Sequence, residues 1–155
     1  MASPDGAAKR QTALPVLAAV IAAVLIVAIA AYLIMTAPVP APPAPFVEFG
    51  ELAWGDPGDV VVNVSTADAE LALAHFRIEL TDVYAGTTIF GVDLRSGTLY
   101  TDGTVTATFL DATSSGRLGV GDGVRLDNLP PMKTYSLILI YKPESRTVAS
   151  VTIPL

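Results

Sequence analysis

The chain has 155 residues, no cysteine and a formal net charge of −6 at pH 7. Without thiols it forms no disulfide, builds no Cys-based metal site and does no thiol chemistry. The acidic balance excludes nucleic acid and anionic lipid surfaces as partners, since either needs a basic patch.

Residues 1–12 are short, small and polar, without periodicity, and are expected to be a disordered cytoplasmic N-terminus. Residues 13–35 form a run of 23 positions with no charge and no strongly polar side chain. At 1.5 Å per residue such a helix reaches roughly 35 Å, enough to cross a hydrocarbon layer of about 30 Å with some tilt. A helix over 13–36 is therefore read as a transmembrane span with the lipid bilayer as its partner. Thr12 is placed to cap it, and Pro15 falls in the first turn, where a missing N–H costs nothing. The competing reading, a core helix, needs a protein large enough to wrap it on every side. Lys9 and Arg10 precede the run, whereas the first basic residue after it is Arg77. This asymmetry keeps the N-terminus in the cytoplasm and exports the rest, giving a single-pass cell-membrane protein with an extracellular C-terminal domain. A cleaved signal has the same layout, but its apolar core is shorter, and the small residues Ala37 and Ala41 each precede proline. Ala18 with Ala22 and Ala19 with Ala23 have the spacing that lets two helices approach closely.

The segment Lys9-Arg10-Gln11-Thr12-Ala13-Leu14-Pro15-Val16-Leu17-Ala18 resembles the start of archaeal type IV pilin-like proteins. There a basic residue and a short polar stretch open an apolar helix. The chain departs from that pattern in having Arg10 or Gln11, not Gly or Ala, at the processing position, and Leu14 in place of Ser.

Residues 37–45, APVPAPPAP, carry five prolines in nine positions. Proline fixes φ and removes a donor, so this segment is expected to be a stiff polyproline II stalk of roughly 28 Å. From Phe46 onward short β-branched and aromatic runs alternate with turn residues, the layout of an antiparallel β-domain over 46–155. Strands are expected at 46–54, 60–65, 71–81, 87–94, 103–110, 124–127, 134–141 and 147–155. Turns are signalled by Gly55-Asp56-Pro57-Gly58, Ser96-Gly97, Asp102-Gly103 and residues 127–131. In 71–81 the apolar phase switches from Leu71 and Leu73 to Phe76, Ile78 and Leu80, which calls for a bulge or bend near Ala74 and His75. YSLILIY, residues 135–141, is apolar at both parities and is expected to be a central strand covered on both faces. The fold class that follows is an N-terminal transmembrane α-helix plus an all-β ectodomain, an antiparallel β-sandwich of about seven or eight strands.

A second resemblance covers Phe109-Leu110-Asp111, Ser115-Gly116-Arg117-Leu118, residues 121–126, Leu129-Pro130-Pro131 and residues 134–142. These are similar to the C-terminal β-domain of archaeal surface and pilin-like proteins. The resemblance implies an exported β-sandwich on a single helix, and it implies little chemistry.

Residues 111–122 have the register of a twelve-residue calcium loop: Asp111 at position 1, Thr113 at 3, Ser115 at 5, Gly116 at the turn and Asp122 at 12. Hydroxyls stand where carboxylates are usual, so a Ca²⁺ site there would be weak, and the alternative is a hairpin loop whose Gly and Asp residues make turns. No other cofactor is expected. Asn63-Val64-Ser65 is a glycosylation acceptor sequon on the exported side. His75, the single histidine, is expected to pack rather than ligate. Trp54 is expected at a core edge, with a ligand groove as the alternative. Gly119 to Gly123 lacks the ending of a phosphate loop, and no nucleophile elbow is present. The function expected is non-enzymatic: a single-pass surface protein presenting a β-sandwich in a structural or binding role. The alternative is a pilin-like filament subunit. Self-association and other surface proteins are the partner classes left open.

Overall fold

The structure, a computed structural model, describes residues 5–155, with side chains from Val16 onward. It divides into two units, Met1–Ala41 and Pro42–Leu155.

The first unit is built on helix α1, Asp5–Thr36. The helix starts earlier than the cap at Thr12 suggested, because Ala7, Ala8, Lys9, Arg10 and Gln11 are all strong helix formers. Residues 5–12 are therefore helical, and the rest of the expected N-terminal tail lies outside the described residues. Pro15 consequently sits well inside the helix. At the other end Thr36 Oγ1 donates to the Tyr32 carbonyl at 2.8 Å, and Pro38 biases Ala37 away from helical geometry. Among the described residues none of the Val16–Thr36 window is buried, and its mean hydropathy is 3.0. Leu25 and Ile26 are more than half exposed. A core helix would have neighbours, so the reading as a helix long and apolar enough to cross a membrane stands.

The second unit is an antiparallel β-sandwich. Its strands are β1 Val47–Trp54, β2 Val60–Ala67, β3 Leu71–Ala72, β4 Phe76–Asp82, β5 Thr87–Asp93, β6 Gly97–Thr101, β7 Thr106–Leu110, β8 Arg117–Leu118, β9 Gly123–Asp127, β10 Thr134–Tyr141 and β11 Arg146–Pro154. One sheet has the order β1-β2-β9-β7-β6 and the other β11-β10-β4-β5, while β3 and β8 form a small ribbon. The eleven strands exceed the seven or eight expected, by β6, by β8 and by the division of 71–81.

Alternation sets which side chains enter the core. Val60, Val62 and Val64 of β2 are buried, facing inward beside Val124 and Leu126 of β9 and Ala107 and Phe109 of β7. In the second sheet, Leu137 lies opposite Leu80, Leu139 opposite Ile78 and Tyr141 opposite Phe76, all at most 1% exposed. Burying each such large side chain contributes about 1.5–3 kcal/mol, enough to hold a domain without disulfides.

Two differences from the expected pattern have clear causes. The phase switch near His75 is a single 3₁₀ turn, Leu73–His75, between β3 and β4. It carries the chain from the ribbon into the four-stranded sheet, so 71–81 is two strands. Strand β10 is central, as expected, but it is covered on one face only: Ile138 and Ile140 are half-buried on the outer face. Their neighbours across the ladder are Glu79 and Arg77, whose apolar stems shield them.

The stalk also differs. Pro45 is buried, the Tyr141 hydroxyl donates to the Pro42 carbonyl, and the Ala44 N–H donates to Glu144 Oε1 at 3.0 Å. Phe46 and Asp68 exchange bonds, N–H to Oδ1 at 2.8 Å and N–H to carbonyl at 3.1 Å. Pro42–Pro45 thus belongs to the sandwich, because it offers carbonyls and apolar rings to a hydroxyl and a groove at the β10–β11 end.

Candidate functional sites

The Asp111–Asp122 loop connects β7 to β9 and contains β8. Asp111 lies at its mouth, with Oδ1 accepting from the Ser115 N–H at 3.1 Å and Oδ2 from the Gly116 N–H at 2.9 Å. These backbone bonds, that from Gly116 first, hold its carboxyl below the ordinary carboxylate range. Asp122 is 1% exposed, and its two oxygens accept from the N–H groups of Ala112 at 2.9 Å and Gly119 at 2.7 Å. Ser115 Oγ accepts from the Arg117 N–H at 3.1 Å, and Thr113 is exposed. The structure does bring the register positions into one loop. It also points each Asp oxygen at a backbone donor, so the loop is stapled by its own carboxylates. Among the described residues no three His, Asp or Glu side chains group closely enough to hold a metal.

Asn63 is exposed on the outer face of β2, where it pairs with Gly123 of β9. A Cβ at Gly123 would stand 2.7 Å from Asn63 Oδ1, so the amide lies across the bare glycine. Ser65 Oγ donates to the Glu48 carbonyl at 3.2 Å. The half-buried His75 ring lies 6.1 Å from the Tyr141 ring, tilted at 46° to it.

Trp54 is half exposed and, with Asp56, Asp59 and Arg125, lines a shallow cleft of about 390 Å³ beside the β1–β2 turn. That turn is fixed by Gly58, at φ +91°, where a Cβ would fall 2.7 Å from the Leu129 carbonyl oxygen. Arg125 is bound to Asp127 at 2.6 Å, and this bond raises its pKa, with further contributions from Asp59 and Asp56. A second open cleft, of about 430 Å³, separates β1 from β11 at the side of the sandwich.

One ion pair, a buried carboxylate met by a half-exposed lysine, escaped sequence reasoning. Asp82, 3% exposed, accepts from Lys133 Nζ at 2.7 Å and from the N–H groups of Tyr84 and Ala85 at 3.1 and 3.0 Å. Lys133, first, and the two backbone donors hold the Asp82 carboxyl low, while the same bond raises the Lys133 pKa. The pair closes the β4–β5 turn against the loop before β10. The sequence signal was Asp82 ending an apolar strand at an inward position. Beside it Tyr135, which opens β10, donates its hydroxyl to the Pro130 carbonyl at 3.0 Å, a tyrosine-corner arrangement.

No protein-family model matches the sequence, and no curated protein does. Among solved structures the chain is similar to the archaellum periplasmic stator protein FlaG from Sulfolobus acidocaldarius, with a TM-score of 0.44 and 14% identity over 71% of this chain and 100% of that one. A likeness of that size does not transfer a function.

Proposed function

We propose that the protein is a non-enzymatic single-pass cell-surface protein, anchored by α1 and presenting its β-sandwich outside the membrane in a structural or binding role. The single observation that carries this reading is a helix of mean hydropathy 3.0, unburied among the described residues, on a chain whose other unit has its own hydrophobic core. Hydrocarbon is the medium in which such a helix is stable. The orientation rests on Lys9 and Arg10 ahead of the helix. The domain's clefts are shallow and open, and its buried carboxylates are spent on backbone N–H groups and Lys133, which supports a presenting role over a catalytic one. A second reading, a pilin-like subunit whose helix packs into a filament, is favoured by the pilin-like start at 9–18. A glycan on Asn63 would be an addition to either reading.

The absence of cysteine makes the test direct. Ser96→Cys, on an exposed loop, and Ser3→Cys are each introduced into the full chain and challenged in intact cells with a membrane-impermeant maleimide. Labelling at Ser96→Cys alone, with extraction only by detergent, is the expected result. Labelling at Ser3→Cys alone overturns the orientation, release of the chain by alkaline washing overturns the anchor, and release by shear with a mature N-terminus near Gln11 establishes the filament instead.

A further inference from the structure

On the outer face of the four-stranded sheet, Arg77, Gly91, Val92, Asp93, Arg95 and Leu99 line a cleft of about 380 Å³. Two arginines in one cleft are unusual in this domain, where residues 46–155 carry seven Lys and Arg against fourteen Asp and Glu. Each of the neighbouring charges has a definite state. Arg77 Nε donates to Glu79 Oε1 at 2.9 Å, which satisfies the inner edge of the guanidinium and leaves its terminal nitrogens for the cleft. Asp93 is held by Lys142 Nζ at 2.9 Å. Arg95 is exposed and has no carboxylate within ion-pair distance among the described residues. With Glu79 and Asp93 matched by Arg77 and Lys142, the group retains one net positive charge.

Gly91 explains how Arg77 is held there. Its φ is not positive, so the backbone would accept any residue, and glycine in a strand interior is destabilising relative to alanine. A Cβ at this position would stand 2.6 Å from Arg77 Nη2 and 3.2 Å from Glu79 Oε1. The missing side chain is thus the seat of the guanidinium. A fork fixed at Nε by a carboxylate and seated on bare backbone is preorganised to bind a planar oxyanion through two parallel N–H bonds. The second cation, Arg95, is anchored by its neighbour Leu94, which is buried and donates its N–H to the Phe76 carbonyl at 3.0 Å, one residue before Arg77.

We infer that the Arg77–Gly91–Arg95 cleft is an oxyanion site that takes a carboxylate group, with Arg77 as the oriented fork and Arg95 as the unpaired cation that completes it. A carboxylate of this kind comes either from a small organic acid or from an acidic side chain on a partner protein. Binding is expected on the order of millimolar for a single group, since two charge-assisted bonds at a partly exposed site are partly offset by competition from water.

The test uses the full chain in an uncharged detergent, following the arginine Nε–H signals by NMR. Glutarate, a hexaglutamate peptide and sodium chloride are titrated separately at matched ionic strength. The Arg77 and Arg95 signals are expected to shift saturably with the carboxylates and not with chloride. Glutarate binding as tightly as the peptide assigns the site to small acids, and tighter binding by the peptide assigns it to an acidic partner. Arg95→Ala and Gly91→Ala should each weaken binding about tenfold, the loss of one charge-assisted bond. Gly91→Ala meets side-chain atoms of Arg77 and Glu79 and no backbone, and Arg95 is exposed, so Arg95→Ala leaves the fold intact. A wild-type protein with no saturable shift, or a folded Arg95→Ala that binds as the wild type does, overturns the site.

Discussion

Asp122 and Asp111 show how much of an acidic loop goes into holding itself. Asp122→Ala removes the acceptor for two backbone N–H groups; Ala112 lies at the surface, where water replaces the lost bond, whereas Gly119 is half-buried. The expected cost is about 2 kcal/mol, read as a fall of several degrees in Tm by circular dichroism. Wild-type melting should stay unmoved by millimolar Ca²⁺, because Asp111 and Asp122 already serve backbone N–H groups and, among the described residues, no third acidic side chain joins them. A rise in Tm with Ca²⁺ would show that the loop takes the ion with these two carboxylates alone. The pH dependence follows from three carboxyls held low: Asp82 by Lys133, Asp102 by the Thr104 and Val105 N–H groups, and Asp111 by the Gly116 N–H. Each has a folded pKa below its unfolded value of about 3.9, so its contribution is complete above that value and is lost as pH falls through the folded one. Lys133 is raised, and burial raises Tyr135 and Tyr141, so their contributions are complete below about pH 10 and fade as pH rises through the folded values. Thermal melts across pH should therefore show a plateau with an acid and an alkaline limb, and Asp82→Asn should shrink the acid limb. The calcium register was legible at the level of spacing; that each carboxylate is turned to a backbone donor was not, since spacing says nothing about which way a loop's amides point.

At the scale of elements, the strap formed by Pro42–Pro45 is the least expected part of the fold. Tyr141 is an ordinary core residue by its ring, packed 5.6 Å from Phe76, and a tether by its hydroxyl. Tyr141→Phe keeps the ring and removes the bond to Pro42, at a cost of about 1 kcal/mol. Hydrogen exchange at the Ala44 N–H should accelerate in that variant while the β10–β4 ladder stays protected; equal acceleration in the ladder would mean that the hydroxyl supports the sheet itself. A run of prolines reads as a free rod because proline supplies no donors, yet its carbonyls remain acceptors, and only the fold shows which donor reaches them. The long strands were legible for the opposite reason. β10 was bounded correctly because Leu137 to Tyr141 is an unbroken apolar run, with Tyr135 two positions before it, between a proline pair and Lys142-Pro143. β6 was missed because its five residues start at Gly97 and run into the Asp102-Gly103 turn, which leaves too short a pattern to read. β8, two residues long, exists only through its pairing with β3. The outer-face isoleucines of β10 misled in a similar way: Ile138 and Ile140 signal cover, but the cover is the stems of Arg77 and Glu79 and not another layer.

For the molecule as a whole, the boundary between the two units is a question of where the sandwich begins. Composition places it after the last proline, whereas packing places it at Pro42. A domain begun at Pro42 keeps the buried Pro45, the Ala44 bond to Glu144, the Tyr141 bond to Pro42 and the Phe46–Asp68 exchange. One begun at Val47 loses all of them and leaves the Tyr141 hydroxyl and the flank of β1 facing water. Each lost hydrogen bond is worth about 1 kcal/mol, and the uncovered apolar surface adds to this, so the shorter domain should be less stable by about 3 kcal/mol or more. Urea unfolding of the two constructions distinguishes the boundaries: a lower midpoint with a similar slope for the Val47 form is expected, since the slope follows the surface exposed and the sandwich itself is unchanged. Equal midpoints would return Pro42–Pro45 to the linker and leave the anchor joined to the domain by nine unstructured residues of sequence.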